Sequence, residues 1–326
     1  MAWSDILGQD LAKRMFQTHL SSGKIPGAYL LVGPEGIGKR RLALEMAKAL
    51  NCTAKAERPC DACPTCGQIN RSTHPDVHVV VGGGASDQIK IDQIRHIIGR
   101  IALRPFSAAM QVVVIDGADR LTEEAANSLL KVLEEPSPYT RFVLTSAHLQ
   151  DCLPTIISRC QLIRCLPLPA EVVADLLTKA DVCAPPVAAA IARLCAGSMA
   201  SAEQLAGGWD AYTQVLERLA DPRPAVWLEQ PLPESREDVG RLLDVLLGWL
   251  RDVAVAAAAD PSALVHTAHA PALTRQAQRV DVDRCIETAL ELVTLRDSLE
   301  QFANAKLVAA LAREKWLSLA DSRHDA

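Results

Sequence analysis

Residues 29–40 read YLLVGPEGIGKR, and this stretch decides the fold. Its four leading residues predict a short buried strand, and the glycines that follow predict a tight loop. Segment 41–50 then has the composition of a strong helix. Strand, glycine loop and helix in this order match the phosphate-binding loop, in which backbone N–H groups and a helix N-terminus bind an anion. Without that context the residues would describe only a glycine turn followed by a surface lysine.

The loop carries the pattern G-x-x-x-x-G-K, so Gly33, Gly36, Gly38 and Lys39 are the candidate phosphate ligands. The next position normally offers a Ser or Thr hydroxyl to magnesium, but here it is Arg40. Arginine has only donors and cannot ligate a cation. The sequence therefore leaves binding of ATP or ADP open and argues against magnesium-dependent hydrolysis.

Strand and helix signals alternate as far as about residue 166. Apolar runs at 77–81, 112–115, 142–145 and 162–163 predict further strands, with helical periodicity between several of them. An all-apolar strand is typical of a parallel sheet that is covered on both faces. We therefore predict an α/β fold with a doubly wound parallel sheet in residues 1–166.

The run at 112–115 ends in Asp116, where a Walker B carboxylate would hold the water shell of magnesium. The residue that follows is Gly117, and Asp119 is displaced by two positions. Asp116 and Asp119 would also serve as caps for the following turn and helix. If the chain has a nucleotide site, that site departs from the usual residues in both the phosphate-binding loop and the Walker B motif.

A cluster of four cysteines follows the loop helix, with spacing C-x7-C-x2-C-x2-C over residues 52–66. Cys52, Cys60, Cys63 and Cys66 match a tetrahedral structural zinc site, which has no open position for catalysis. Unrelated reduced thiols or a redox pair are the alternatives. We predict a zinc module that staples this insertion.

Beyond residue 167 the strand signals stop, and the rest of the chain has helical patterns. Three short helical segments predict a small helical domain at 167–207, and longer ones predict an all-helical domain at 208–326. The low aromatic content of 4% also favours helices over a β-sandwich. Two or three domains are expected for 326 residues.

The formal net charge of −5 would repel a polyanion, so contact with DNA should be local or made through partners. The N-terminus lacks the basic start and apolar core of a secretion signal, which predicts a cytoplasmic protein. The most apolar late stretch, 242–259, contains charged residues that are expensive in a bilayer, so no membrane span is expected.

Arg159 lies in the triplet Ser158-Arg159-Cys160, between an apolar turn and the run at 162–163. From the spacing alone, an ion-paired structural arginine is the favoured interpretation. Taken with the loop, the cysteine insertion and the segment NSLLKVLEEP at 127–136, however, this triplet closely resembles the bacterial clamp-loader subunits of the AAA+ class, gamma/tau and delta-prime. The resemblance is specific over roughly residues 5–206, and NAKL at 304–307 resembles a stretch of the collar.

That resemblance implies an AAA+ domain, a lid domain and a collar through which five subunits form a ring. The ring loads the sliding clamp onto primed DNA as part of the DNA polymerase III holoenzyme, a DNA-directed DNA polymerase. It also implies that Arg159 reaches into the ATP site of a neighbouring subunit as an arginine finger, a role that suits a planar cation. Gamma/tau and delta subunits are the expected partners.

Three positions separate this chain from the gamma/tau motor, because Arg40, Gly117 and Ala200 replace its hydroxyl, its acidic residue and its lid arginine. We therefore expect a delta-prime-like subunit without efficient ATPase activity of its own. One alternative is an active gamma/tau-like ATPase. Another is a zinc-containing DNA-binding protein, although residues 52–66 carry two basic residues against two acidic ones and show no basic patch.

Overall fold

The computed structural model describes residues 3, 6–54, 58–84, 87–221, 223, 225–228, 231–258, 263–301 and 303–321. The chain divides into two compact units. The first consists of residues 1–176 with 196–201, and the second of 177–195 with 202–326. The three domain ranges read from the sequence, 1–166, 167–207 and 208–326, stay predictions.

The first unit is built on one five-stranded sheet in which every pairing is parallel. Its strand order is β2-β3-β4-β1-β5, so the strand that leads into the glycine loop lies between β4 and β5. The predicted parallel α/β sheet is confirmed. In chain order the strands β1 to β5 are Ala28–Val32, Val77–Val81, Gln111–Asp116, Thr140–Ser146 and Gln161–Arg164.

Both faces of this sheet are buried, which explains the continuous apolar runs. Successive residues of a strand point to opposite faces. Tyr29 and Leu31 thus pack with Met46 on one face, whereas Leu30 packs with Leu129 on the other. All five side chains are at most 1% exposed.

Helices cover the two faces and continue into the rest of the chain. From α1 to α7 they are Asp10–Ser22, Lys39–Asn51, Pro64–Asn70, Ile91–Ile101, Glu123–Glu134, Pro154–Ile157 and Ala170–Lys179. From α8 to α15 they are Pro185–Leu194, Met199–Gly207, Trp209–Ala220, Ala225–Leu228, Arg236–Ala257, Ala270–Ala277, Val282–Glu300 and Ala305–Asp321.

In the described part of the second unit all regular secondary structure is helical, and the unit has a core of its own. Trp249 and Leu246 of α12 are completely buried there, and α14 and α15 contribute Leu292 and Ala309. Tyr212 and His266 add a buried hydrogen bond of 2.7 Å between the Tyr212 hydroxyl and Nε2 of the histidine. No helix in the described part of the chain is both long and apolar enough to cross a membrane.

Candidate functional site: a phosphate loop, a cysteine cluster and an arginine turn

The glycine loop follows β1 directly and leads into α2, as the sequence predicts. Gly36 and Gly38 have φ angles of +73° and +92°, in the left-handed region that only glycine adopts readily. Gly33 is required for a different reason, because a Cβ atom there would lie 2.3 Å from the carbonyl oxygen of Cys165. The three glycines therefore give the loop the backbone that a phosphate site needs.

Lys39 is the first residue of α2 and turns its ammonium group back onto the loop. Its Nζ donates to the carbonyl oxygens of Gly33 and Pro34, each at 2.6 Å. Burial lowers the pKa of Lys39, and neighbouring acidic groups, Asp116 among them, oppose that shift. The cation is thus held on the loop, where a phosphate group would meet it.

Arg40 lies where the motif normally has a hydroxyl, and it faces the carboxylate at the end of β3. Its Nη1 is 3.8 Å from Oδ2 of Asp116. The other carboxylate oxygen, Oδ1, accepts a 2.7 Å hydrogen bond from the hydroxyl of Thr145 on β4. Because a guanidinium group cannot ligate a cation and occupies the approach to Asp116, these residues do not fit a magnesium site.

Gly117 adopts a backbone conformation that strains any residue with a side chain, including the acid that an active ATPase carries at this position. Its φ angle is +101°, in the left-handed region. A Cβ atom would also lie 2.2 Å from Nε of Arg120, so the end of that partly exposed arginine, which pairs with Asp87, would have to move. Asp119 does not compensate, since its Oδ2 accepts a 2.9 Å hydrogen bond from the backbone N–H of Ala147.

Residues 198–200, at the start of α9, pack directly on the loop within the first unit. The backbone N–H of Met199 donates to the carbonyl oxygen of Gly36 at 2.9 Å. A Cβ atom on Gly36 would lie 2.2 Å from Oγ of Ser198 and 2.8 Å from Cβ of Ala200. This segment thus presents small side chains to the loop and no cation at residue 200.

The four clustered cysteines come together as their spacing predicts. The Sγ atoms of Cys52, Cys60, Cys63 and Cys66 all lie within 4.8 Å of one another. Cys52 follows α2 directly, whereas Cys63 caps the N-terminus of α3 and accepts from the backbone N–H of Cys66 at 3.4 Å. Four thiols this close can hold a metal ion.

The environment of Cys63 favours the thiolate, the form that binds metals. Burial acts to raise its pKa, but hydrogen bonds from the backbones of Cys66 and Thr53 outweigh that effect and lower the pKa to about 6. Burial raises the pKa of Cys66 to about 12. The cluster therefore combines one readily ionised thiol with a deeply buried one.

A buried lysine ties this cluster to α2, and sequence reasoning missed it. Lys48 has no exposed surface, and its Nζ lies 2.5 Å from Oε1 of Glu45 and 2.6 Å from Oδ1 of Asp61. Asp61 also accepts from the side-chain amide of Asn70 on α3 at 3.1 Å. One ammonium group thus links the helix, the cysteine loop and α3. The only sequence signal was an acid three residues before a lysine on α2, which is common on exposed helix faces.

Arg159 lies two residues before the start of β5 and folds back toward α5 and α6. It forms an ion pair with Glu134, the last residue of α5. Its Nη1 also donates to the carbonyl oxygen of Thr155 at 2.9 Å and contacts Oγ of Ser158 at 3.3 Å. This geometry agrees with the ion-paired structural arginine that the spacing favours, and it leaves the finger role a prediction.

A parallel sheet of this order, a phosphate loop after β1 and a carboxylate at the end of β3 define a P-loop α/β protein of the AAA+ class. A family model described as DNA polymerase III, delta subunit, matches residues 8–169. The DNA polymerase III subunit delta' of Pseudomonas aeruginosa is 34% identical over 256 residues, or 77% of this chain and 74% of that protein. The chain therefore belongs to the delta' family of DNA polymerase III clamp-loader subunits.

Other curated relatives match over shorter lengths of the chain. The delta' subunit of Bacillus subtilis is 36% identical over 174 residues, which is 53% of this chain and about half, 52%, of that protein. The tau subunit of the same organism is 35% identical over 160 residues, or 49% of this chain and 28% of its own length. A solved gamma subunit-related protein of Thermotoga maritima is 19% identical, with a TM-score of 0.42 over 94% of this chain and 99% of its own.

Proposed function

We propose that this chain is the delta'-like member of a cytoplasmic DNA polymerase III clamp loader, and that it donates Arg159 to the ATP site of a neighbouring subunit. Gamma/tau and delta are its partners, and it meets the sliding clamp and primed DNA through the complex. Its own ATPase activity is absent or weak. Binding of ATP or ADP at its own loop stays an open question. The loop backbone and Lys39 fit a phosphate group, whereas Arg40 and Asp116 do not fit magnesium.

One contrast carries the proposal. Arg40 in the loop and Gly117 after β3 stand where an active site needs a hydroxyl and an acid, and the φ angle of +101° at Gly117 disfavours any side chain there. Arg159, by contrast, keeps a charged side chain that is 29% exposed on a turn beside β5. An arginine can neutralise charge on a phosphate bound by another chain without any metal site of its own.

We further propose that Cys52, Cys60, Cys63 and Cys66 hold one structural zinc ion. Four sulfur ligands saturate tetrahedral zinc, so the ion would stabilise the segment between α2 and α3 and leave no position for substrate. The mutual distances of the Sγ atoms and the low pKa of Cys63 support this choice.

The decisive experiment replaces Arg159 in a clamp loader reconstituted with gamma/tau and delta. An arginine finger contributes about 10³ to 10⁵ in rate at the site that it serves. We expect Arg159→Ala to abolish turnover at the facing site and to lower the total clamp-stimulated ATPase rate several-fold. Arg193→Ala, which removes an exposed arginine on α8, is the control.

Two results would count against the proposal. An unchanged ATPase rate in the complex with Arg159→Ala would leave the arginine a purely structural residue. Steady-state hydrolysis by the isolated chain, abolished by Lys39→Ala, would instead favour an active gamma/tau-like ATPase. Thermal unfolding of each variant separates these outcomes from misfolding, because a partly exposed ion pair such as Arg159–Glu134 contributes only about 0–1 kcal/mol.

A further inference from the structure

The guanidinium group of Arg159 is already occupied within its own chain. Nη2 is paired with the carboxylate of Glu134, and Nη1 donates to the carbonyl oxygen of Thr155 at 2.9 Å and to Oγ of Ser158 at 3.3 Å. These terminal nitrogens are the ones that a finger would present to a phosphate group. In this conformation both terminal nitrogens of the arginine are therefore engaged within its own chain.

This internal arrangement leaves one donor unsatisfied. Nε of Arg159 is buried and has no hydrogen-bond acceptor among the described residues. A buried donor without a partner is destabilising, and more so when the group is charged. The guanidinium group is thus held in place with one of its donors unpaired. Moving it to an anion that pairs with all of its donors would therefore not break a complete set of hydrogen bonds.

The position of Glu134 is informative because it does not help its own helix. Glu134 is the last residue of α5, where the negative end of the helix dipole disfavours a carboxylate. Its side chain is half exposed, and its ion pair is with Arg159. The favourable contact that this carboxylate makes is therefore the one with the arginine.

We propose that Glu134 holds Arg159 retracted in the free subunit, and that the arginine must leave this carboxylate to reach the neighbour's phosphates. This inference rests on the finger role proposed above. The carboxylate and the polyphosphate compete for the same N–H groups, and the polyphosphate carries the greater charge. Only an arginine that has left Glu134 can engage the neighbour's site. The apparent kcat/KM is therefore proportional to the fraction of subunits in which Arg159 is released.

The test uses the reconstituted complex and measures kcat/KM for ATP with the subunit carrying Glu134→Gln. Exposed ion pairs contribute about 0.2–1 kcal/mol, so we expect kcat/KM to rise about 1.4- to fivefold. The matched control is Glu135→Gln, which makes the same charge change at the next residue, also exposed, and should leave kcat/KM unchanged. The thermal midpoint of the Glu134→Gln subunit should stay within about 1 °C or rise, because the change removes a charge that its helix disfavours.

A second comparison shows whether the effect passes through the arginine. Adding Glu134→Gln to Arg159→Ala should produce no further change in kcat/KM. A fall with Glu134→Gln would mean that the carboxylate positions the finger instead of retracting it, and no change would mean that it does neither; both overturn the inference. If Arg159→Ala itself has no effect, it is the finger role that fails.

Discussion

The two ends of α2 differ in whether their side chains can hold a metal ion. At its N-terminus the phosphate loop keeps its glycines and Lys39, but the place of a metal ligand is taken by a guanidinium group 3.8 Å from Asp116. At its C-terminus Cys52 joins three further cysteines whose sulfur atoms converge within 4.8 Å. One helix thus separates a nucleotide-type site that does not fit a metal from a cluster that does.

The difference shows that a motif's backbone and its chemistry can be lost separately. A glycine loop depends on φ angles and close packing, and those requirements are unchanged at Gly33, Gly36 and Gly38. Magnesium chemistry depends on oxygen ligands, and Arg40 offers none at its position. The cysteine cluster has no such division, because the four thiols that converge there would both hold an ion and fix the segment if a metal binds.

The largest effect is expected at the cysteine end. Serine is a good N-cap, so Cys63→Ser preserves the start of α3 and removes one metal ligand. We expect bound zinc to fall from about one per chain to well below one, and the free energy of unfolding of the first unit to fall by roughly 3 kcal/mol or more. Metal analysis and thermal unfolding measure the two changes.

Cys183→Ser, at a half-buried cysteine outside the cluster, controls for the loss of a thiol and should retain zinc. If the wild-type chain, purified without chelators, contains no zinc, the metal proposal is wrong. In that case the four cysteines would be packing residues, and neither end of α2 would hold a metal ion.

A smaller effect is expected at Lys48, which connects α2 to the cysteine loop. Lys48→Met keeps much of the side-chain volume but leaves the carboxylates of Glu45 and Asp61 without their shared cation. Removing one partner of a buried ion pair typically destabilises by about 3–5 kcal/mol, and we expect the lower end because Asp61 keeps its bond to Asn70. Denaturant unfolding provides the measurement, with Lys131→Met at an exposed site of α5 as the control.

Burial raises the pKa of Glu45, and Lys48 acts in the opposite direction. Without the lysine, protonation of Glu45 should relieve part of the penalty, so the difference between wild type and Lys48→Met should shrink as the pH falls toward 5. A pH-independent difference below 1 kcal/mol would show that the lysine does not hold this junction.

The smallest effect is expected at the N-terminal end, where Arg40→Thr restores the usual hydroxyl. The ion pair with Asp116 is long and half exposed, so its loss should change stability by less than about 1 kcal/mol. The informative quantity is the thermal midpoint with ATP in magnesium against ATP in EDTA. We expect no difference for wild type and a rise of a few degrees with magnesium for Arg40→Thr.

Arg41→Thr, at the next residue of α2, controls for the lost positive charge and should behave as wild type. Equal magnesium-dependent stabilisation of wild type and Arg40→Thr would show that the guanidinium group does not exclude the metal. The two ends of α2 would then be less different than the geometry indicates.

Local patterns predicted most of the first unit correctly. The strands were legible because both faces of a parallel sheet are buried, which makes the apolar runs at 112–115 and 142–145 continuous. The cysteine cluster could be predicted because its four cysteines lie within 15 residues of sequence. Turns within so short a segment can bring the sulfur atoms together. The loop could be read because its glycines are adjacent to both a strand and a helix.

The contacts of the site could not be read in the same way, because they join distant segments. Arg40 meets Asp116 across 76 positions, and Arg159 meets Glu134 across 25. Which charged residue pairs with which depends on how β1, β3 and β5 are ordered in the sheet. The rotamer of each charged side chain also decides which partner it reaches, and the hydrophobic periodicity of the sequence does not specify rotamers.

The sequence by itself determined the class of fold, the family resemblance, the cluster of four cysteines and the loss of the magnesium hydroxyl at residue 40. Each of these depends on residue type and short spacing, which the chain carries locally. Only the tertiary structure decided that Arg40 faces Asp116, that Gly117 has a left-handed backbone, that Lys48 is buried at the cysteine loop and that Glu134 pairs with Arg159. Those facts require the sheet and its helices to bring separate segments within a few ångströms, and short-range patterns do not specify such distances.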